Sequence, residues 1–355
     1  MNDRRAWVAI AVPLIAFAAA PPLFSHDIYS YVDYARLGAL HGLDPYVHPP
    51  AAEPFDPAYA GVTWIDATNA YGPLFTLATY PLAWLPVLAA LALLKAVAAA
   101  SVLAIALLVA RIAPARGVSP LGAAAFVALN PVVLLQVVGG GHNDALAMLA
   151  ATIGIATVLA TREATGGAAF AAALALKPPA ALAAPFALVD AARSRHSPPQ
   201  GGVEVGSAPA RRPAVRLLAG TLLAAGAIGL GAYAAFGWNW LGTIGLAGEN
   251  QGRTAHMSIP ITVARLTGLD PTVVRATALV LFAAAMAYLL LRTWRGGDWL
   301  RNAAWATLAL LLATAWLLPW YLIWALPPVA LSRDRPLQLL TLGLTAFQLF
   351  ARVPL

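Results

Sequence analysis

Pro73-Leu74-Phe75-Thr76-Leu77-Ala78-Thr79-Tyr80-Pro81-Leu82-Ala83-Trp84-Leu85-Pro86-Val87-Leu88-Ala89-Ala90 is apolar enough to enter a bilayer, and its reading sets the topology of the whole chain. If it spans, Arg111, Arg116, Arg193, Arg195, Arg211, Arg212 and Arg216 fall on the outer face. If it lies along the interface, they share the inner face with Arg4 and Arg5. Lys and Arg are retained on the cytoplasmic side of spans, which favours the second arrangement. Pro73, Pro81 and Pro86 point the same way, because each removes a helical hydrogen bond. Residues 73–90 are therefore read as a broken interfacial helix, with the next span over Leu91–Val109.

Outward from that segment, the composition is that of a membrane protein. Of 355 residues, 61% are apolar and only 10% charged, with mean hydropathy +0.74. Continuous apolar runs recur along the chain, and lipid offers their backbone no hydrogen bonds, so they are expected to be helices. The fold class is an all-α polytopic membrane protein with about 11 transmembrane helices. The first, Ala6–Pro22, reads as an uncleaved span because Pro21-Pro22 follows its small residues. The whole of 1–355 reads as one transmembrane domain. Residues 23–72 form a first external loop, 191–216 a flexible cytoplasmic linker rich in Ser, Pro and Gly, and 237–271 a second external loop. The N-terminus is then cytoplasmic. The net charge of +7 is scattered over helix ends rather than gathered in a patch, which excludes nucleic acid as a partner. With no cysteine, disulfides, thiolate metal sites and Cys nucleophiles are also excluded.

The acidic residues are biased the opposite way. Asp27, Asp33, Asp44, Glu53, Asp56, Asp66, Asp144, Glu249 and Asp270 all fall on the external side of this topology. The rule that places Lys and Arg says little about carboxylates, so the asymmetry points to chemistry there. Asp27 is the sharpest candidate. In a helix it shares a face with Tyr31 and Tyr34, with Asp33 and Arg36 on another. At the apolar edge its pKa should rise, which suits a general base. The structural alternatives are a helix cap or an i,i+3 pair between Asp33 and Arg36. Asp44-Pro45-Tyr46 and Tyr71-Gly72-Pro73 are turn chemistry first. His142-Asn143-Asp144, after three glycines, suggests an N-cap by Asn143 or Asp144 with substrate contact as the rival. Lys177, between two apolar arms, is costly unless it snorkels or has an anionic partner, for which a lipid phosphate would serve. Arg253 and His256 could hold a phosphate as well, with loop solvation as the equal alternative. Lys95, one turn inside its helix, is expected to snorkel. Trp320, Tyr321 and Trp324 read as an interfacial belt or as a sugar-stacking surface.

Leu23-Phe24-Ser25-His26-Asp27-Ile28-Tyr29-Ser30-Tyr31, Gly42-Leu43-Asp44-Pro45-Tyr46 and Tyr71-Gly72-Pro73-Leu74 resemble the first external loop of a known family. Asn130-Pro131, Gly141-His142-Asn143-Asp144, Lys177-Pro178-Pro179 and Pro319-Trp320-Tyr321-Leu322 carry the resemblance on. The family is the polyprenol-phosphomannose-dependent α-1,6-mannosyltransferases of actinobacterial lipoglycan synthesis, within the GT-C class of integral membrane glycosyltransferases. The resemblance implies a GT-C fold, a polyprenyl-phosphate-mannose donor and a mannan or mannosylated-lipid acceptor. It also implies inverting transfer with Asp27 as base. Tyr31, Asp33, Arg36, Tyr71, His142, Asn143, Asp144, Trp320 and Tyr321 are then expected around the sugars, and Lys177, Arg253 and His256 at the donor phosphate. No metal or other cofactor is expected, since the leaving group is one lipid phosphate without a nucleotide. The rival function is a flippase of a lipid-linked sugar, which calls for polar residues at mid-membrane and inverted repeats. A scaffold without activity is the third possibility.

Overall fold

A computed structural model of the chain describes residues 3–193, 212–243, 245, 253–255 and 257–350. Most of these are helical, and no strand occurs among them. Helix α1 (Asp3–Ala19) leads into α2 (Asp27–Ala39), which opens the long first loop. Residues 73–90 are divided at their prolines: α3 (Pro73–Thr79) starts on Pro73, Pro81 sits in the 3₁₀ turn Tyr80–Trp84, and Pro86 caps α4 (Val87–Ile112). The long helix thus begins four residues before the expected Leu91. Its buried side carries Ala90, Leu94, Ala98, Val102, Ile105 and Val109, a stripe at helical spacing.

Helix α5 (Pro120–Ala128) is capped by Ser119 and followed by a π-helical turn, Val133–Val138. Then come α6 (Asp144–Leu159), α7 (Glu163–Leu176), α8 (Ala184–Arg193) and α9 (Pro213–Phe236). Of the region read as a linker, 194–211 lies outside the described residues. The stretch expected to be the second external loop contains α10 (Ile259–Thr267), started by Ser258. Helix α11 (Pro271–Trp294) is capped by Asp270 and α12 (Trp299–Ala313) by Asp298, each carboxylate accepting two backbone N–H groups. A 3₁₀ turn, Pro319–Trp324, precedes α13 (Leu326–Ala330) and α14 (Arg335–Phe350).

Among the described residues three helical stretches are long and apolar enough to cross a membrane: Val87–Arg116, Pro213–Phe236 and Pro271–Trp294. The last of these presents Val273, Leu279, Val280, Leu281 and Tyr288 outward, which only a lipid or protein neighbour would shield. The described apolar helices Asp144–Leu159 and Glu163–Leu176 are shorter. Lys95 does not snorkel. It is 2% exposed and turns inward, donating to the carbonyls of Ala20 and Pro21. Both carbonyls follow directly on the last turn of α1, so α4 ties down the exit of α1.

Candidate active site

That tie places the chain between α1 and α2. Leu23 N–H then donates to Gly139 O (3.0 Å), joining the start of the first loop to the glycine run after the π-helical turn. Gly141 has φ +70, and a Cβ there would lie 2.3 Å from Ile28 Cδ1. Only glycine meets both demands, and the close approach sets His142 beside the first turn of α2. His142 Nδ1 stands 3.9 Å from Asp27 Oδ2 and 3.5 Å from the Tyr31 hydroxyl. Its ring stacks on Trp320 at 3.7 Å between centroids.

Asp27 is the first residue of α2, but its carboxylate caps nothing. Oδ1 accepts the indole N–H of Trp64 at 3.3 Å. Burial pushes the Asp27 carboxyl above its ordinary value; Lys177 and the Trp64 hydrogen bond pull it down, and Asp144 pushes it up again. A carboxylate so placed ionises less readily and holds a proton more strongly, as a general base must.

On the facing wall, Gly72 runs against the last turn of α7, where a Cβ would meet Ala175 O at 1.9 Å. Tyr71 thereby reaches Tyr31, edge to face at 4.7 Å. Just beyond, Lys177 Nζ donates to Asp144 Oδ2 (2.7 Å), and Trp324 Nε1 donates to Asp144 Oδ1 (2.7 Å). Asp144 is fully buried and Lys177 keeps 17% of its side chain exposed. Tyr321 stacks on Trp324 at 4.2 Å, with the Lys177 ammonium 5.0 Å from the Tyr321 ring centre. Arg253 reaches in from the segment before α10, 5.1 Å from the Trp64 ring centre and 6.0 Å from that of Trp316.

These groups enclose one cavity of about 420 Å³. Asp27, Ser30, Tyr34, Trp64, Tyr71, Lys177, Arg253, Thr314, Trp316, Trp320, Tyr321 and Trp324 are among the residues that line it. Flat aromatic faces suit the apolar faces of pyranose rings, and two cations with one carboxylate suit an anionic leaving group and a hydroxyl to be deprotonated. Among the described residues no three His, Asp or Glu side chains converge as a metal site.

The expected residues divide. Asp27, Tyr71, Lys177, Arg253, Trp320 and Tyr321 line the cavity, and Tyr31 and His142 support it from behind. Trp320 and Trp324 are 6% and 5% exposed, so the belt reading fails: they face the interior. The cap reading holds only in part: Asn143 stands at the N-cap position of α6. Asn143 makes no side-chain cap bond, and Asp144 is committed to Lys177 and Trp324. Asp144 therefore orients the cation rather than touching the cavity. Asp33 and Arg36 lie off the cavity. Arg36 Nε donates to Asp56 at 2.8 and 3.0 Å and its Nη1 to Ala83 O, so it pairs with Asp56 and not with Asp33. His256 lies outside the described residues. Trp64 and Trp316 escaped the sequence reading. Each stands alone in an irregular segment, with no periodicity to mark it.

Comparison with known proteins matches the chain in two blocks. Residues 1–193 match the family described as alpha-(1->6)-mannopyranosyltransferase, N-terminal domain, and residues 254–354 match the MptB C-terminal domain. The chain belongs to this α-(1→6)-mannopyranosyltransferase family. Its similar relatives include alpha-(1->6)-mannopyranosyltransferase A of Corynebacterium glutamicum, 34% identical over 52% of this chain and 37% of the relative. An alpha-(1->6)-mannopyranosyltransferase of Mycobacterium tuberculosis is 27% identical over 91% of this chain and 64% of the relative. Alpha-(1->6)-mannopyranosyltransferase A of the same organism is 29% identical over 87% and 61%. The chain thus spans less than two thirds of each of these relatives. No solved structure matches it.

Proposed function

We propose that this protein is a membrane glycosyltransferase that moves a mannosyl residue from a polyprenyl-phosphate donor to a mannan or lipoglycan acceptor, on the external face of the membrane. The carrying observation is that Asp27 opens into the same aromatic-walled cavity as Lys177 and Arg253. The names of the related mannopyranosyltransferases support the sugar and the linkage class. The fold is of the GT-C type with about 11 spans, an internal N-terminus and the active site outside.

In the reaction, the acceptor hydroxyl oxygen attacks C1 of the donor mannose from the face opposite the phosphate. The C1–O bond to phosphate breaks with inversion, and its electron pair leaves with the polyprenyl phosphate. Asp27 takes the hydroxyl proton as the new bond forms. Lys177 and Arg253 offset the charge that grows on the departing phosphate, in a site walled from water by aromatic rings. Asp144 and Trp324 keep Lys177 aimed. Because those cations serve the leaving group, the transfer should proceed without a divalent metal; loss of activity on chelation, restored by added metal, is the contrary result.

The test is transfer from polyprenyl-phosphomannose by the full chain in lipid vesicles, comparing wild type with Asp27→Asn. A loss of about 10²-fold or more with donor binding intact supports the base role. Movement of the donor across the bilayer by wild type, with no transfer to any mannan acceptor, would instead make the protein a flippase.

A further inference from the structure

Trp64 touches both halves of the site. Its indole edge donates to Asp27 Oδ1 at 3.3 Å, and its ring face lies 5.1 Å from the Arg253 guanidinium carbon. The residue sits in the irregular part of the first loop and is 40% exposed, so neither contact is needed to fill a core. A cation within about 6 Å of an indole centre is held by the ring quadrupole, and tryptophan is the strongest partner for it. An indole N–H can only donate, so its one hydrogen bond engages Oδ1 and does not occupy Oδ2, which lies 3.9 Å from His142 Nδ1. At 3.3 Å the bond is long for N–H···O, so it orients the carboxylate without clamping it.

We propose that Trp64 is a two-sided positioning residue. Its N–H sets the Asp27 carboxylate for proton abstraction, and its ring face holds Arg253 over the cavity. The proposal rests on the transferase reading above. On this account one side chain keeps the acceptor-activating carboxylate and the phosphate-facing cation in a fixed relation, although they come from loops more than two hundred residues apart.

Separate variants dissect the two faces. Trp64→Phe keeps an aromatic face and loses the N–H, whereas Trp64→Leu loses both. Besides Trp64, the groups that set the titration of Asp27 are Lys177 after α7, Asp144 on α6 and the Ser25 hydroxyl, while Tyr31 and Tyr34 on α2, Tyr71, His142 and Tyr321 also face it. All remain in either variant, so a change in the acid limb reports the lost N–H. Trp64→Phe should move the acid limb of kcat/KM upward by about one pH unit, with donor KM unchanged. Trp64→Leu should make the same move and raise donor KM by about three- to tenfold. The pH midpoint of the protonated-carboxyl infrared band that Asp27→Asn abolishes should rise alike in both. An unchanged acid limb and band midpoint in Trp64→Phe overturns the edge role, and an unchanged donor KM in Trp64→Leu overturns the face role. Absence of turnover by wild type overturns the transferase reading instead, and the infrared midpoint still decides whether Trp64 sets the carboxylate.

Discussion

Two carboxylates on α2, Asp27 and Asp33, have opposite surroundings. Asp27 opens into the cavity between Trp64, His142 and Lys177. Asp33 is 1% exposed, turned away from the cavity, and its Oδ2 has no hydrogen-bond partner among the described residues. Beside it, Asp56 accepts from Arg36 and pairs with His41 Nε2 at 2.8 Å. One end of the helix meets the cavity, and the other braces the loop that holds Trp64. The difference teaches that a shifted carboxylate marks a site only when it also meets an accessible space.

The sharpest break of this comparison exchanges each carboxylate for its amide. Asp27→Asn should lower turnover by about 10²-fold or more, whereas Asp33→Asn should change it by less than about threefold at pH 7. Comparable losses from both would merge the two ends into one catalytic unit. Next in size is the Asp144–Lys177 pair. Lys177→Met strands a buried carboxylate, and removing one partner of such a pair costs about 3–5 kcal/mol. The double variant Lys177→Met/Asp144→Asn should be more stable than Lys177→Met alone, while its donor KM stays as poor. Thermal unfolding in detergent and donor titration read these separately. If restoring stability also restored donor affinity, the ammonium would have no role in binding.

The brace comes third. Arg36→Met leaves Asp56, whose side chain is 2% exposed, with His41 alone as counter-charge among the described residues. Proteolysis of the first loop, between α2 and α3, should accelerate well before the transmembrane helices unfold, because loops of this kind open locally. Loss of turnover in Arg36→Met with unchanged proteolysis would place Arg36 in the chemistry after all.

How far this was legible in sequence depends on reach along the chain. The face shared by Asp27 and Tyr31 follows from a helical period, and the three prolines of 73–90 divide that segment where their chemistry requires. The turn reading of Asp44-Pro45-Tyr46 also holds, with Tyr46 N–H donating to Asp44 Oδ1 at 2.9 Å. Asp33 and Arg36 lie on the same helix as Asp27, and nothing local in the sequence separates them from the sugars. Their separation from the cavity is decided by Asp56, which stands 20 residues beyond Arg36 in an irregular loop. Asp144 looked like a cap because its true partners, Lys177 and Trp324, lie 33 and 180 positions away. Local periodicity carries no trace of such pairings, so helices and turns are readable where long-range partners are not.

The smallest effect is also the most specific to Asp33. Burial raises its carboxyl from 3.8 to about 7; the Asp56 charge adds to the rise, and His41 and Arg36 oppose it. Asp56 moves the other way: burial pushes it up, but hydrogen bonds from Arg36, His41 and the Ala58 N–H outweigh that. Between the unfolded and folded values of Asp33, the folded protein binds more protons than the unfolded one, so stability falls as pH rises. Asp56 contributes stability above its unfolded value and loses it only in acid, so the two dependences do not overlap near neutrality. Asp33→Asn should therefore unfold at a higher temperature than wild type at pH 8, where the buried charge is removed, and close to wild type below about pH 4. A Tm difference that stays constant across this range would mean that Asp33 is not the group that titrates, and that the brace is insensitive to pH.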